Sequence, residues 1–326
     1  MRSLPFYPMM VLVLVGLGGY LGCDPNSIQL PLESVVTGAR GTASSTTHYP
    51  ASIPDRVANR LLIGSFNIQR LGPSKLGQPW VMEKLASVIQ RFDVIALQEI
   101  TSQDQTTVPQ LLTYVNQGGG KYAYTISPQI GRNTYFEQYV FVYDTTRVQT
   151  GQEYSYVIQD EQDYLYREPF VGRFQTISNN PFTFRLINMH TSPSEISVEL
   201  DVLADVYVNV RQYEYPEDDI ILLGDLNAAP DRFQKLGTIP SVDPLIVDVP
   251  TNTRKNKTLD NILIDIQKTR EFTGRAGTID LEQMFSIDLD DTERISDHLP
   301  IWAEFSFTES TGAATAVAGA LSNAFR

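Results

Sequence analysis

Eight short apolar runs and three stretches of helical spacing, with no internal repeat, predict an α/β (α+β) fold: a four-layer α/β/β/α sandwich of two mostly antiparallel sheets flanked by helices. The runs have the length of buried strands: Leu61 to Phe66, Val94 to Leu97, Tyr122 to Ile126, Tyr139 to Tyr143, Phe182 to Asn188, Ile220 to Leu223, Ile262 to Ile264 and Ile301 to Phe307. Between them, Val81, Leu85, Val88, Ile89 and Phe92 share one helical face, as do Val108, Leu111, Leu112 and Val115, and again Ile196, Leu200, Leu203, Tyr207 and Val210. A helix with one apolar stripe must bury it, and two stacked sheets each offer an outer face for the purpose. The 326 residues would allow two domains, but a single sandwich of about 250 residues is ordinary, and a hydrophobic fraction of 42% supplies its core.

The flanks read differently. Arg2, an apolar stretch from Met9 to Leu17 and the small residues up to Cys23 suit a leader over residues 1–23; the stretch is shorter than the ~20 residues that span a bilayer. Leu21-Gly22-Cys23 resembles a bacterial lipoprotein cleavage box, with Tyr20 where that pattern usually has Leu. Lipid-anchored export through Cys23, plain cleavage with secretion, and an incidental buried cysteine are the three readings, and the first two place the protein outside the cytoplasm. With one cysteine no disulfide forms within the chain. Residues 24–58, rich in Ser, Thr, Pro and Gly, are expected to be a flexible tether, 59–308 the domain, and 309–326 a disordered tail.

A formal charge of -13 excludes a non-specific polyanion binder, because neutralising phosphates takes clustered Lys and Arg. A nucleic-acid substrate would therefore need divalent cations and a few placed arginines.

The chemistry lies where the apolar runs end. The first runs into Asn67, the second into Gln98-Glu99, the fifth into His190 and the sixth into Gly224-Asp225-Leu226-Asn227, while Asp260-Asn261 opens the seventh and Ser296-Asp297-His298 precedes the eighth. A strand that ends in a polar turn is ordinary taken alone. Five or more on separate segments point to one sheet edge lined with oxygen and imidazole groups. Hard divalent cations such as Mg²⁺ take oxygen ligands, which Asn67, Glu99, Asp225, Asn227 and Asp297 supply, and a chain this poor in Cys and His argues against zinc. Of the three histidines, His48 falls in the tether; His190 and His298 are each as readily structural as catalytic alone, but as a pair at strand ends they suit a shared cleft.

Ser65-Phe66-Asn67-Ile68, Leu97-Gln98-Glu99, Gly224-Asp225-Leu226-Asn227 and Ser296-Asp297-His298-Leu299-Pro300 together resemble the ordered motifs of the endonuclease/exonuclease/phosphatase superfamily. Gly131-Arg132-Asn133-Thr134-Tyr135-Phe136-Glu137-Gln138-Tyr139, Arg167-Glu168-Pro169 and His190-Thr191-Ser192-Pro193-Ser194 resemble its deoxyribonuclease I-like family. The resemblance covers about residues 60 to 307. It implies that Asn67, Glu99 and Asp297 bind Mg²⁺ (or Mn²⁺), and that Asp225 and Asn227 orient phosphate and water. It further implies that His298 with Asp260 activates water and that His190 with Glu137 assists at the leaving oxygen. Arg132, Asn133, Tyr135 and Arg167 match DNA-contacting positions; the alternatives are a core aromatic for Tyr135 and an Arg167–Glu168 salt bridge. Gln69 and Thr101 stand where the nuclease pattern carries arginines, and Arg70 would substitute only by pointing to the other face. Asp248, Thr251 and Thr253 resemble a structural Ca²⁺ site loosely, one residue out of register.

The expected activity is a metal-dependent endonuclease that hydrolyses DNA, monomeric and without a protein partner. The alternatives are a phosphodiesterase or phosphatase for phospholipids or small phosphates, and a non-catalytic binding domain.

Overall fold

β1 (Arg60–Leu71) shows how the layers arise: Leu61 and Ile63 point to one side and Leu62 and Phe66 to the other, as the period-two geometry of a strand requires. The computed structural model describes residues 53–102 and 105–310. The leader, the lipid expected on Cys23, the tether as far as Ser52 and the tail from Thr311 lie outside the described residues.

After β1 come α1 (Pro73–Leu76), α2 (Pro79–Ile89), β2 (Val94–Ile100), α3 (Thr107–Val115), β3 (Tyr122–Ile126), β4 (Ile130–Arg132) and β5 (Tyr135–Asp144). The second half holds β6 (Val148–Gln149), β7 (Ser155–Val157), β8 (Phe170–Thr176), β9 (Thr183–His190), α4 (Ile196–Tyr213) and β10 (Ile220–Asp225). Then follow β11 (Val242–Pro244), β12 (Asp260–Asp265), β13 (Phe272–Thr278), α5 (Leu281–Phe285), α6 (Leu289–Ile295) and β14 (Ile301–Ser306).

One seven-stranded sheet has the order β13-β14-β1-β2-β5-β3 with β4 on β5; the other runs β11-β12-β10-β9-β8-β6 with β7 on β8. The pairs β1–β2 and β9–β10 are parallel and the remaining ladders antiparallel. Three apolar layers result. Val81, Leu85, Val88 and Leu111 of α2 and α3 pack with Leu62, Phe66, Ile95 and Leu97 on the outer face of the first sheet. Leu61, Ile63, Phe141, Phe174, Phe184, Ile221 and Phe305 fill the space between the sheets. Leu200, Leu203, Tyr207 and Val210 of α4 cover Val171, Ile187, Ile220 and Leu222 on the second. This is the expected four-layer sandwich.

All eight apolar runs fall on strands and the three periodic stretches on α2, α3 and α4. The strands and helices that periodicity did not show are mostly too short to have a period: β4, β6, β7 and β11 have two or three residues, and α1, α5 and α6 have four, five and seven. β13 is an edge strand that reads Phe-Thr-Gly-Arg-Ala-Gly-Thr, so it lacks an apolar run. Phe92 lies past the end of α2 yet stays in the same apolar layer. The ordered contacts also extend beyond 59–308. Arg56 pairs with Asp93 and Asp144, both at 2.6 Å, and the Ser310 N–H donates to Glu271.

Between the sheets, Gln98 Nε2 donates to Ser65 Oγ (3.0 Å) and to Asn188 Oδ1 (2.7 Å), while Asn188 Nδ2 reaches Leu97 O (3.2 Å). This buried amide pair fixes the register of one sheet against the other directly beneath the polar strand ends.

Gly224 lets β10 reach that edge. Its φ is +145°, and a Cβ built on it would lie 1.8 Å from the carbonyl oxygen of Met189 on the adjacent parallel strand. Gly224→Ala should therefore cost about 2–4 kcal/mol through strain and backbone displacement. A urea midpoint equal to that of the unsubstituted chain would refute this account of the turn.

Candidate active site

The site residues continue the inward-facing rows of their strands. Leu61 and Ile63 face the opposite sheet, and two steps further so does Asn67; Phe184 and Leu186 lead to His190, Ile221 and Leu223 to Asp225, and Ile264 and Ile262 back to Asp260. The last inward position of each strand is polar instead of apolar. Because β1, β9 and β10 end at the same edge, where antiparallel β12 begins, four separate segments converge there.

Asp225 is the centre. It is 1% exposed, its Oδ1 accepts the Asn227 N–H (2.9 Å), and its Oδ2 accepts Asn67 Nδ2 (3.1 Å). The same Oδ2 lies 3.5 Å from His190 Nε2 and 3.5 Å from His298 Nε2, so the two imidazoles flank one carboxylate oxygen. Behind each ring stands a second buried carboxylate. His190 Nδ1 is 3.0 Å from Glu137 Oε1, and His298 Nδ1 is 2.8 Å from Asp260 Oδ2. These contacts place the Nδ1 proton toward the carboxylate and leave Nε2 for chemistry. Burial pulls both imidazoles down, but the carboxylates outweigh it: Glu137 with Asp225 holds His190 above its ordinary value, and Asp260 with Asp225 holds His298 well above. Burial pushes the Asp260 carboxyl up, so the His298–Asp260 pair keeps its proton as a unit.

Asn67 Nδ2 also donates to Glu99 Oε1 (3.0 Å), whose other oxygen accepts the Arg70 N–H (2.9 Å). Glu99 has φ +65° at the point where the β2–β5 register shifts, which turns its carboxylate toward Asn67. Asp297 is exposed at the tip of the loop before β14, and its carbonyl accepts from Thr253 N (2.9 Å). The carboxylates of Glu99, Asp297 and Asp225 are hard oxygens that suit Mg²⁺ or Mn²⁺; Asn67 turns its Nδ2 to Glu99 and Asp225 while its Oδ1 accepts the Gln69 N–H (3.0 Å), so it would join them by turning its amide over. Asp225, Asp260 and His298 bring ligand atoms within 4.8 Å of one another, but Asp260 spends Oδ2 on the imidazole, so the group reads as an acid–base pair before an ion cage.

Lys75 is a member that nothing in the sequence marks. Its Nζ donates to Ile68 O (2.9 Å), Gln69 O (2.6 Å) and Ile295 O (2.9 Å), tying the end of β1 to the end of α6 just before Asp297. Burial lowers it to about 8, against the opposing charges of Glu99 and Asp297, and at neutral pH it remains a cation beneath them. Tyr139 ends the nuclease-like block without an expected role, and its hydroxyl accepts the His190 N–H at 2.9 Å; Glu199 of α4, which accepts from Ser192 and Tyr166, escaped motif reading.

The four expected DNA contacts separate. Asn133 is exposed at φ +58° in the β4–β5 turn, and Tyr135 is half-buried beside Thr101 and Arg70 in a recess of about 190 Å³. Arg132 is engaged by Asp163 Oδ1 (2.8 Å), Leu165 O (2.8 Å) and Glu195 Oε2 (3.4 Å). Arg167 is 3% exposed and points inward, donating to His190 O (2.9 Å) and Thr191 O (2.9 Å). Its ion-pair partner is Glu137 (3.6 Å) and not Glu168, so in this structure it braces the His190–Glu137 pair, whereas a surface phosphate contact was expected of it. Arg70 corrects a second expectation. Gln69 and Arg70 both have positive φ, 46° and 54°, within a break in the β1–β2 register, and this bulge brings Arg70 to the site face after all. The loose calcium set also dissolves: Asp248 is exposed, Thr251 Oγ1 accepts from Leu259 N and Asp260 N, and Thr253 Oγ1 donates to Asp297 O. These threonines hold the catalytic loops.

With only His48, His190 and His298 to resolve, imidazole NMR tests the pairing. Glu137→Gln removes the main anion that holds His190 up and leaves Asp225 alone against burial and Arg167, so His190 should titrate lower than in the unsubstituted chain. An unchanged titration would show that the carboxylate does not govern the ring.

The comparisons agree with this geometry. Residues 64–265 match the model of the Endonuclease/Exonuclease/phosphatase family. Human Deoxyribonuclease-1-like 1 is 33% identical over 279 residues, covering 81% of this chain and 91% of that protein; Bos taurus Deoxyribonuclease-1 is 28% identical over 257 residues, covering 74% and 90%. Among solved structures, an endonuclease/exonuclease/phosphatase family protein from Bacteroides thetaiotaomicron is similar at TM-score 0.53 and 14% identity, covering 78% of this chain and 100% of that one. The match spans the strands that carry Asn67, Glu99, His190 and Asp225, and the chain belongs to the endonuclease/exonuclease/phosphatase family, on its deoxyribonuclease I-like side.

Proposed function

We propose that this protein is a divalent-metal-dependent endonuclease that hydrolyses DNA phosphodiester bonds, monomeric, and exported with a lipid on Cys23 or secreted. The observation that carries the activity is the pair of carboxylate-backed imidazoles on either side of Asp225 Oδ2, next to the oxygen set of Asn67 and Glu99. The deoxyribonuclease names of the relatives favour DNA over lipid or small-phosphate substrates. The export reading stands on Arg2, the Met9 to Leu17 stretch and Leu21-Gly22-Cys23.

Asn67, Glu99 and Asp297 would hold the ion, which when bound polarises the phosphate and offsets the charge of the surrounding carboxylates. His298, with its Nδ1 proton directed to Asp260, would present a free Nε2 to take a proton from water once the cation's charge offsets the carboxylates that raise the ring. His190, which Glu137 and Asp225 hold above its ordinary value, is the ring placed to give an Nε2 proton to the leaving oxygen. Asp225 and Asn227 orient the nucleophile and phosphate, with Asn227 fixed by its Nδ2 bond to Thr191 O (3.0 Å). Arg70, Asn133 and Tyr135 form the surface that meets the strand, and Arg132 joins it by exchanging Glu195 for phosphate.

The full chain should nick supercoiled plasmid with Mg²⁺ or Mn²⁺, lose activity with chelator, and slow by roughly 10²- to 10⁴-fold as His298→Ala. Plasmid left intact under every divalent ion, while a phospholipid or inositol phosphate turns over, would reassign the substrate. Arg70→Ala should raise KM for duplex several-fold and lower the salt slope of binding by about one phosphate contact; an unchanged slope would remove Arg70 from the interface.

A further inference from the structure

At the pole of the sandwich opposite the active site, three chain segments bring carboxylates together without a cation. Asp219 precedes β10, Glu271 precedes β13 and Glu309 follows β14; one oxygen from each lies within 4.8 Å of the others. Asp219 stands six residues before Asp225 along β10, roughly 20 Å away at the rise of a strand.

We propose that Asp219, Glu271 and Glu309 form a calcium-binding site that ties the start of β10 to the β12–β13 turn and to the segment after β14. Asp219 is 2% exposed and its Oδ1 has no hydrogen-bond partner; buried carboxylate oxygens are ordinarily satisfied. Among the described residues no Lys or Arg nitrogen pairs with any of the three carboxylates. The nearby cation is already committed: Arg185 Nε is 2.7 Å from Glu214, and its Nη1 is 3.2 Å from Glu217. Glu217 adds another anion behind the group and Asp218 another beside it, the latter weakly met by Lys268 at 3.8 Å.

The donors are all hard oxygens, with no nitrogen or sulfur, and oxygens up to about 4.8 Å apart fit around an ion bound at 2.3–2.6 Å. Glu309 is only half-buried, which gives an entry path and leaves room for waters to complete the shell. Ligands drawn from three separate segments, with no rigid loop to enforce an octahedron, suit Ca²⁺ better than Mg²⁺. Glu271 Oε1 accepts the Ser310 N–H and Glu309 Oε2 the Thr183 N–H at 3.4 Å, so each carboxylate is steadied from its other side.

Protonation is the competing way to relieve the crowding. Burial and the charges of Glu217 and Glu271 push Asp219 up to about 10, and burial with Glu271 pushes Glu309 up to about 8. A carboxyl raised on folding favours the folded state while protonated, so without cation stability should fall as pH climbs from the ordinary carboxylate range through these values. Calcium affinity should rise over the same window as the proton leaves.

Thermal melting of the full chain at pH 8, with and without millimolar CaCl₂, reads the site. Calcium should raise Tm by about 5 °C. In Asp219→Asn the increment should vanish while the calcium-free protein melts close to its parent, because at pH 8 and without a cation the Asp219 carboxyl is already protonated and uncharged. Glu309→Gln, at a half-buried position, should weaken the response without loss of folding if Asp219→Asn proves insoluble. Glu99→Gln should keep the response in full, which separates this site from the catalytic ion. A parent Tm that calcium does not move, or an equal increment in Asp219→Asn and Glu309→Gln, would overturn the proposal.

Discussion

The catalytic architecture depends on one buried carboxylate oxygen. Asp225 Oδ2 belongs to the second sheet, yet it accepts from Asn67 of the first and faces His190 and His298 from two further segments. A charge at 1% exposure survives only if hydrogen bonds and opposite charge repay its desolvation. Asn67, the Asn227 N–H and two raised imidazoles do so, and in return their positions are fixed by it. The four groups therefore order one another, and the sheets must meet at one register for any of them to be satisfied. Gln98 and Asn188 enforce that register one layer deeper.

The same logic extends outward. Glu137 is fully buried between His190 and Arg167, and Arg167 is anchored by two carbonyls of the His190 segment. Removing one member of such a buried pair costs about 3–5 kcal/mol because the other charge is stranded. Arg167 can thus shape the reaction without touching substrate, through the ring it keeps in place. Lys75 does the corresponding work on the metal side, where its three donors hold the backbone that carries Asn67 and Asp297. The active centre is two imidazole–carboxylate pairs and an oxygen set, with Arg167 behind the His190–Glu137 pair and Lys75 behind the oxygen set.

Much of this was legible in the chain. The inward strand faces repeat every second residue, so the polar residue that ends each apolar run marks the sheet edge, and Asn67, His190, Asp225 and Asp260 could be named on that ground together with the motif order. What escaped was whatever depends on backbone irregularity or on packing across the sandwich. The consecutive positive φ values at Gln69 and Arg70 reversed the face of Arg70, which strict alternation had turned away. Arg167 reads as a surface guanidinium because a sequence does not say that Glu137, thirty positions earlier, lies beneath it. Lys75 and Glu199 carry no motif, Tyr139 sits in one that gave it no role, and their partners are mostly main-chain atoms that every residue possesses. The caps of α5 and α6 were the missed readable signal: Asp280 and Asp288 each accept the N–H three residues on.

The two poles of the molecule apply the same functional group to opposite ends. At the active edge the buried carboxylates face imidazole, guanidinium or amide groups: Glu137 has His190 and Arg167, Asp260 has His298 on Oδ2, and Asp225 has Asn67 and the Asn227 N–H. Their charge is spent on tuning two imidazoles, and exchange of protons there is the chemistry. At the far edge Asp219 has, among the described residues, neither an imidazole nor a cation beside it, so nothing offsets burial and the neighbouring carboxylates as they raise its proton affinity. A titrating imidazole turns surplus negative charge into basicity; without one, the surplus can be relieved only by a proton or a cation. The absence of histidine from the second cluster is why the same acidic chemistry that supports catalysis at one edge amounts to an ion site at the other.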